Sequence, residues 1–166
     1  MPQKIMVRQF KSSREFYNQH MLQQATQSIV STTKQLANKY HVPLNKVAVK
    51  YNKRYRRTLG EADVSFSKVL SGTCDMTFNE KFVLGCLYDQ QGGYNTLLPV
   101  VKHEVLHYVT QFIDTKNSDD GASTFEKLLA ENNAIASATT NRNKRLAQTM
   151  NVDYIFNNNT LFKIIY

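Results

Sequence analysis

Cysteine is scarce in this 166-residue chain, with only Cys74 and Cys86 present and eleven residues between them. That spacing suits neither a zinc ribbon nor a redox pair, so the expectation is two buried thiols in a reducing compartment rather than a disulfide framework. No apolar run approaches the roughly 18 residues of a membrane-spanning helix. Lys4, Arg8, Lys11 and Arg14 interrupt the apolar residues at the start, which excludes the pattern of a secretory signal. A cytoplasmic protein with no membrane partner is expected. There is no internal repeat and no low-complexity linker, so one domain, long enough to bury a core, is the simplest organisation.

Acids are nearly missing from the first part of the chain. Residues 1–60 carry twelve Lys/Arg and a single acid, Glu15, a formal +11, whereas residues 61–166 carry nine Lys/Arg and twelve acids, a formal −3. Such asymmetry points to an anionic partner, of which nucleic acid is the usual one, with a merely solvated basic surface as the plain alternative. The densest cluster is Lys53, Arg54, Arg56 and Arg57, interleaved with Tyr51 and Tyr55. That mixture suits phosphate contacts with ring stacking on DNA bases.

Histidine is rare too, at positions 20, 41, 103 and 107 alone, and two of the four fall together in Val100-Val101-Lys102-His103-Glu104-Val105-Leu106-His107-Tyr108. This is H-E-x-x-H, which on a helix sets two imidazoles one turn apart on one face with a glutamate beside them. One zinc ion fits such a pair. Zinc accepts neutral imidazole, keeps a position open in catalytic sites, and lowers the pKa of its water from about 16 to roughly 7. Val101, Val105, Tyr108 and Phe112 repeat at helical spacing and are expected to bury the other side. The competing interpretation is a pair of ordinary structural histidines, which is also the simpler view of His20 and His41.

Around this motif the periodicity suggests an α+β fold. Residues 12–40 read as one helix, opened by a Ser12/Glu15 capping box, striped by Leu22, Ala25, Ile29, Thr33, Leu36 and Tyr40, and ended by His41-Val42-Pro43. Alternation then predicts three strands, carrying Val47/Val49/Tyr51, Ala62/Val64/Phe66 and Cys74/Met76/Phe78, in a small antiparallel sheet. Gly92-Gly93 precedes the motif helix, with Thr96 as its cap and Pro99 in the first turn; the helix is expected to run to about Asp114. The polar stretch 115–121 breaks it before a helix bearing Phe125, Leu128, Leu129, Ile135 and Ala136. Residues 150–166 suggest a terminal hairpin turning at Asn157-Asn158-Asn159 and packing through Tyr154, Phe156, Phe162 and Ile164.

The order helix, basic strand, Asn52-Lys53-Arg54-x-Arg56-Arg57-Thr58-x-Gly60, strand, Phe78-Asn79 with Phe82, His103-Glu104-x-x-His107 and Phe125-Glu126-Lys127-Leu128-Leu129 resembles the SprT-like metalloproteases over residues 15–137. That family includes bacterial SprT proteins and the catalytic domain of the eukaryotic DNA–protein crosslink protease Spartan. The resemblance implies a metalloprotease domain over 1–149, its zincin helix pair packed with the long first helix and the sheet. It implies one catalytic zinc on His103 and His107, Glu104 as general base, and a protein or peptide substrate, with DNA-associated proteins among the expected ones.

The relatives take a third histidine shortly before the next helix; here the matching region, 117–125, offers carboxylates. Asp120 is the first choice for third ligand, with Glu126 and Asp119 as alternatives, each of which could instead cap the following helix. The relatives' cysteine-bearing zinc ribbon has no counterpart in 150–166. Two other functions stay open: a nucleic-acid-binding module whose protease site has decayed, and a zinc peptidase unrelated to DNA.

Overall fold

The computed structural model describes residues 6–11, 15–88, 93–151, 154–156 and 160–165. The chain runs β1 (Met6–Lys11), α1 (Glu15–Lys39), β2 (Lys46–Asn52), β3 (Gly60–Asp63), α2 (Phe66–Leu70), β4 (Thr73–Asn79), α3 (Glu80–Tyr88) and α4 (Gly93–Ile113). A single 3-10 turn, Thr115–Asn117, leads to α5 (Ser123–Glu131), α6 (Ser137–Thr149), β5 (Tyr154–Phe156) and β6 (Thr160–Ile165). The fold is α+β, with six helices among the described residues. Among those residues no helix is long and apolar enough to cross a membrane.

Helix α1 buries Ala25, Ile29, Thr33, Leu36 and Ala37, a stripe at steps of three and four. The buried Thr33 hydroxyl costs nothing, because it donates to the Ile29 carbonyl at 2.7 Å. The helix ends in a Schellman motif. Val42 N–H donates to the Ala37 carbonyl at 2.8 Å and His41 N–H to that of Asn38 at 3.2 Å, while His41 adopts the left-handed φ of 55° that this motif requires. His41 is therefore a turn residue. Residues 12–14, which include the Ser12 cap, lie outside the described residues.

The central sheet is mixed, in the order β2-β4-β3, and this corrects the antiparallel expectation. β2 pairs parallel with β4, in register Val47↔Cys74, Val49↔Met76 and Tyr51↔Phe78, while β3 pairs antiparallel with β4 as Gly60↔Phe78 and Ala62↔Met76. The reason lies in the strands' composition. Cys74, Met76 and Phe78 are fully buried, which suits the strand hydrogen-bonded on both sides. The lysine-bearing β2 and the short Gly60-Glu61-Ala62-Asp63 are fit for edges. The chain reverses between β2 and β3 and again between β3 and β4, so β4, seated between them, runs parallel to β2. Phe66 is not a strand residue either: it opens α2 and is 74 % exposed.

Asn79 joins sheet to helix. Its Oδ1 accepts the Phe82 N–H at 3.1 Å, capping α3, and its Nδ2 donates to the carbonyls of Tyr55, Arg56 and Thr58 at 3.2, 3.4 and 3.1 Å. One buried amide thus fixes the basic loop that delivers β3. Tyr51 is half-buried rather than free for stacking, its hydroxyl shared with Thr26 at 2.8 Å and the Leu22 carbonyl at 3.2 Å.

Helix α4 is buried nearly all round, through Val100, Val101, Val105, Leu106, Tyr108 and Val109. Its start differs from expectation. It begins at Gly93, so Thr96 is a buried helical residue and Pro99 lies inside the helix. Phe112, expected in the core, is 45 % exposed. Helix α5 stops at Glu131, and Ile135 and Ala136 belong to the connection before α6. A second Schellman pair ends it, with Ala134 N–H on the Leu129 carbonyl at 2.9 Å and Asn133 at φ 55°.

A second sheet has the order β1-β6-β5, with β1 parallel to β6 and β5 antiparallel to it. The expected turn at 157–159 and the side chains of Tyr154, Phe156, Phe162 and Ile164 lie outside the described residues. Cys74 and Cys86 are buried thiols, and burial pushes the Cys74 thiol up to about 12, so it is an inert packing group.

Candidate metal centre

His103 and His107 lie on one face of α4 with ring centroids 5.1 Å apart, as a four-residue helical step dictates. Each ring is fixed from behind. His103 Nδ1 is 2.7 Å from the Ile135 carbonyl and His107 Nδ1 is 2.8 Å from the Ser118 carbonyl. A carbonyl only accepts, so both Nδ1 atoms carry hydrogen and both Nε2 atoms face the cleft. Phe125, from α5, stacks on His107 at 4.0 Å and meets His103 edge-on at 5.1 Å.

The loop between α4 and α5 brings a carboxylate to the same point. Asp120 Oδ1 lies 3.1 Å from His103 Nε2 and 3.2 Å from His107 Nε2. Its place is built by several bonds. The Ser118 hydroxyl donates to Gln111 Oε1 at 2.8 Å and to the Thr115 carbonyl at 3.0 Å; Thr124 donates to Asp114 Oδ2 at 2.7 Å; and Gly121 turns the chain at φ 86°. The Ser137 hydroxyl, at the start of α6, donates to the same Asp120 oxygen at 3.1 Å. On the other side, Ile135 N–H donates to the Pro99 carbonyl at 3.0 Å, so the loop whose carbonyl holds His103 is itself pinned to α4.

His103, His107 and Asp120 form a triad whose ligand atoms all lie within 4.8 Å of one another. Two imidazole nitrogens and a carboxylate oxygen, all Lewis bases, converge there, and with both Nδ1 atoms protonated only a proton or a cation relieves the repulsion among the lone pairs. The donor set fits a divalent metal, and the carbonyl bonds behind the rings are the outer support that such ligands require. Comparison with protein-family models, curated proteins and solved structures found no match. The reading of this centre therefore stands on its own geometry.

Without a metal, an added proton on the Nε2 of His103 or His107 is donated to Asp120, and these bonds hold its carboxyl far below the usual carboxylate range. Burial alone would lower His107, but the bond to Asp120, the charge of Glu104 and the Ser118 carbonyl raise it above its ordinary value. Burial pushes the Glu104 carboxyl up to about 7, against the opposing pull of His103 and His107. Of the alternative ligands, Asp119 lines the cleft outside the triad, and Glu126 Oε1 accepts the Gly121 N–H at 3.0 Å.

The triad opens into a cleft of about 400 Å³ walled by residues 58–62, which include β3, an edge strand among the described residues, and by α6. Gly60 permits this approach. A Cβ there would come within 2.8 Å of the Phe78 ring and 3.2 Å of Glu104 Cγ. Helix α6 was not visible in the sequence, because Ser137-Ala-Thr-Thr-Asn-Arg-Asn-Lys carries no apolar stripe; only Ser137, Asn143 and Ala147 are buried along it.

The basic cluster lies beside the cleft, on the loop held by Asn79. Lys53, Arg54 and Arg56 are exposed, while Arg57 is half-buried, its Nε without a hydrogen-bond partner among the described residues. Arg56 also donates to Asn151 Oδ1 at 3.0 Å, and Tyr55 donates to Glu61 at 3.0 Å. These contacts leave Lys53 and Arg54 as the cations most available to a phosphate.

Proposed function

We propose that this chain is a zinc-dependent peptidase of SprT-like type, hydrolysing peptide bonds, with DNA-associated proteins as its substrates. One observation carries the reading: two imidazoles with lone pairs turned toward a single carboxylate oxygen, in a cleft where a desolvated glutamate waits beside them. A bound divalent ion would supply Lewis acidity and a water of lowered pKa.

The chain's own residues do the rest. His103, His107 and Asp120 would hold the ion. Glu104 takes a proton from the attacking water and gives it to the leaving amine, a double role suited to a carboxyl near neutrality. The open edge of β3 offers backbone N–H and C=O groups that would hold an extended peptide across the cleft, as a strand is added to a sheet. The Asn79-anchored loop would present Lys53, Arg54 and Arg56 to phosphate. This fold would correspond to an H-E-x-x-H helix followed by its ligand-bearing neighbour, with β5 and β6 as a terminal hairpin.

Purified protein is expected to hold one zinc per chain, by elemental analysis. Glu104→Gln should keep that zinc and lose peptide cleavage by about 10²–10⁴-fold, the usual weight of a general base. Cleavage that survives the substitution removes Glu104 from the mechanism. A protein that binds no zinc and is unaltered by His103→Ala leaves the nucleic-acid-binding module instead.

A further inference from the structure

Helix α6 closes the cleft with a polar face rather than an apolar one. Ser137, Thr140 and Lys144 follow one another at steps of three and four, so they share a face. Ser137 donates to the metal-ligating Asp120 at 3.1 Å, and Thr140 and Lys144 both line the cleft. The face thus starts at the metal centre and runs outward. At 1.5 Å of rise per residue, Lys144 lies about 10 Å along the helix from Ser137.

Lys144 differs from the other charged groups of the cleft. Glu61, Glu104, Asp119 and Asp120 are acids, and Lys144 is the sole Lys or Arg among the described residues that line the cleft. Glu61 accepts the Tyr55 hydroxyl. Lys144 is half-buried and has no acceptor among the described residues. Its Nζ is not among the buried unpaired polar atoms of the described residues, so it is reached by water that an entering carboxylate can replace. Being a compact point charge on a flexible stem, it accepts a carboxylate from many directions.

We propose that Lys144 forms an anion-selecting subsite at the outer end of the cleft, binding a substrate carboxylate about three residues from the bond that is cut. The separation follows from about 3.3 Å per residue of an extended peptide laid along β3. The proposal deepens the peptidase reading and rests on it. Two sources share this chemistry: an acidic side chain, or the free carboxyl end of a peptide.

The test uses the zinc-loaded protein with fluorogenic peptides in which Glu or Gln is walked through each position on both sides of the cut, with either amidated or free C-termini. Glu at one position, two to four residues from the cut, is expected to raise kcat/KM about five- to tenfold over Gln, the scale of a partly shielded ion pair. Lys144→Glu should reverse the preference in favour of Lys at that position, while circular dichroism shows the fold retained. A preference kept in amidated peptides assigns the anion to a side chain, and one that needs a free carboxylate assigns it to the terminus. A Glu/Gln ratio of one at every position overturns the subsite and leaves the peptidase reading standing. In parallel, fluorescence anisotropy measures Kd for the same peptides on zinc-loaded Glu104→Gln protein, without and with Lys144→Glu. Cleavage of no peptide removes the peptidase reading; a Kd preference for Glu that the second substitution reverses would still establish the subsite, and equal Kd values would remove it.

Discussion

Glu104 carries a thermodynamic signature beside its proposed role as general base. Its carboxyl is lifted by burial from 4.5 to about 7, so between those pH values the folded metal-free protein keeps a proton that the unfolded chain has released. Stability therefore falls as pH rises across that window and stays lower above it. At about 1.4 kcal/mol for every tenfold change in proton affinity, the loss is on the order of 3 kcal/mol. Glu104→Gln removes the titration, so the metal-free variant should melt above its parent at pH 8 and close to it at pH 4, as calorimetry at the two values can establish. Equal differences at both would mean that the carboxyl is well hydrated. His103, Glu104 and His107 were legible in the sequence because a helix places i and i+4 on one face whatever surrounds them. Asp120 could be selected only by ligand chemistry. That chemistry ranks it ahead of Glu126 and Asp119, but what brings it to the rings, the φ of Gly121 and the bonds of Ser118 and Asp114, has no local signature.

Among the elements, β3 is the one on which the cleft depends most. Gly60↔Phe78 pairing brings its backbone against Glu104, and a methyl group at Gly60 would press on the Phe78 ring at 2.8 Å. Gly60→Ala is expected to cost about 1–3 kcal/mol, the usual range for an overpacked site. If the peptidase proposal holds, it should also reduce cleavage while zinc content stays at parent level, because His103 and His107 are held from the opposite side. Thermal melts with metal analysis check both. The strands themselves were readable from their period of two, but their order was not: a sequence states which residues alternate, whereas β4 sits centrally because its buried Cys74, Met76 and Phe78 can be covered from both flanks. Helix α6 has no sequence signal for a related reason. It contributes a polar wall, and hydrophobic periodicity detects elements that face the core.

At the scale of the molecule, charge is what the sequence revealed most directly. The basic first 60 residues place Lys53, Arg54 and Arg56 exposed on the Asn79-anchored loop beside the cleft. If three phosphates are neutralised there, log affinity for duplex DNA should fall against log salt with a slope of about −3. Replacing all three cations by Ala should flatten that slope in a fluorescence titration, and a slope near zero in the parent would reduce the cluster to solvated surface. The pairing of the outermost strands had no such signal, since nothing in residues 6–11 names a partner so remote. Met6 lies opposite Thr160, and the whole of β1 runs alongside β6. During synthesis Met6–Lys11 leaves the ribosome long before Thr160–Ile165 does. Through that interval β1 carries an open ladder edge that a neighbouring nascent chain can occupy, so this sheet forms late and is the place where two copies would most readily exchange strands.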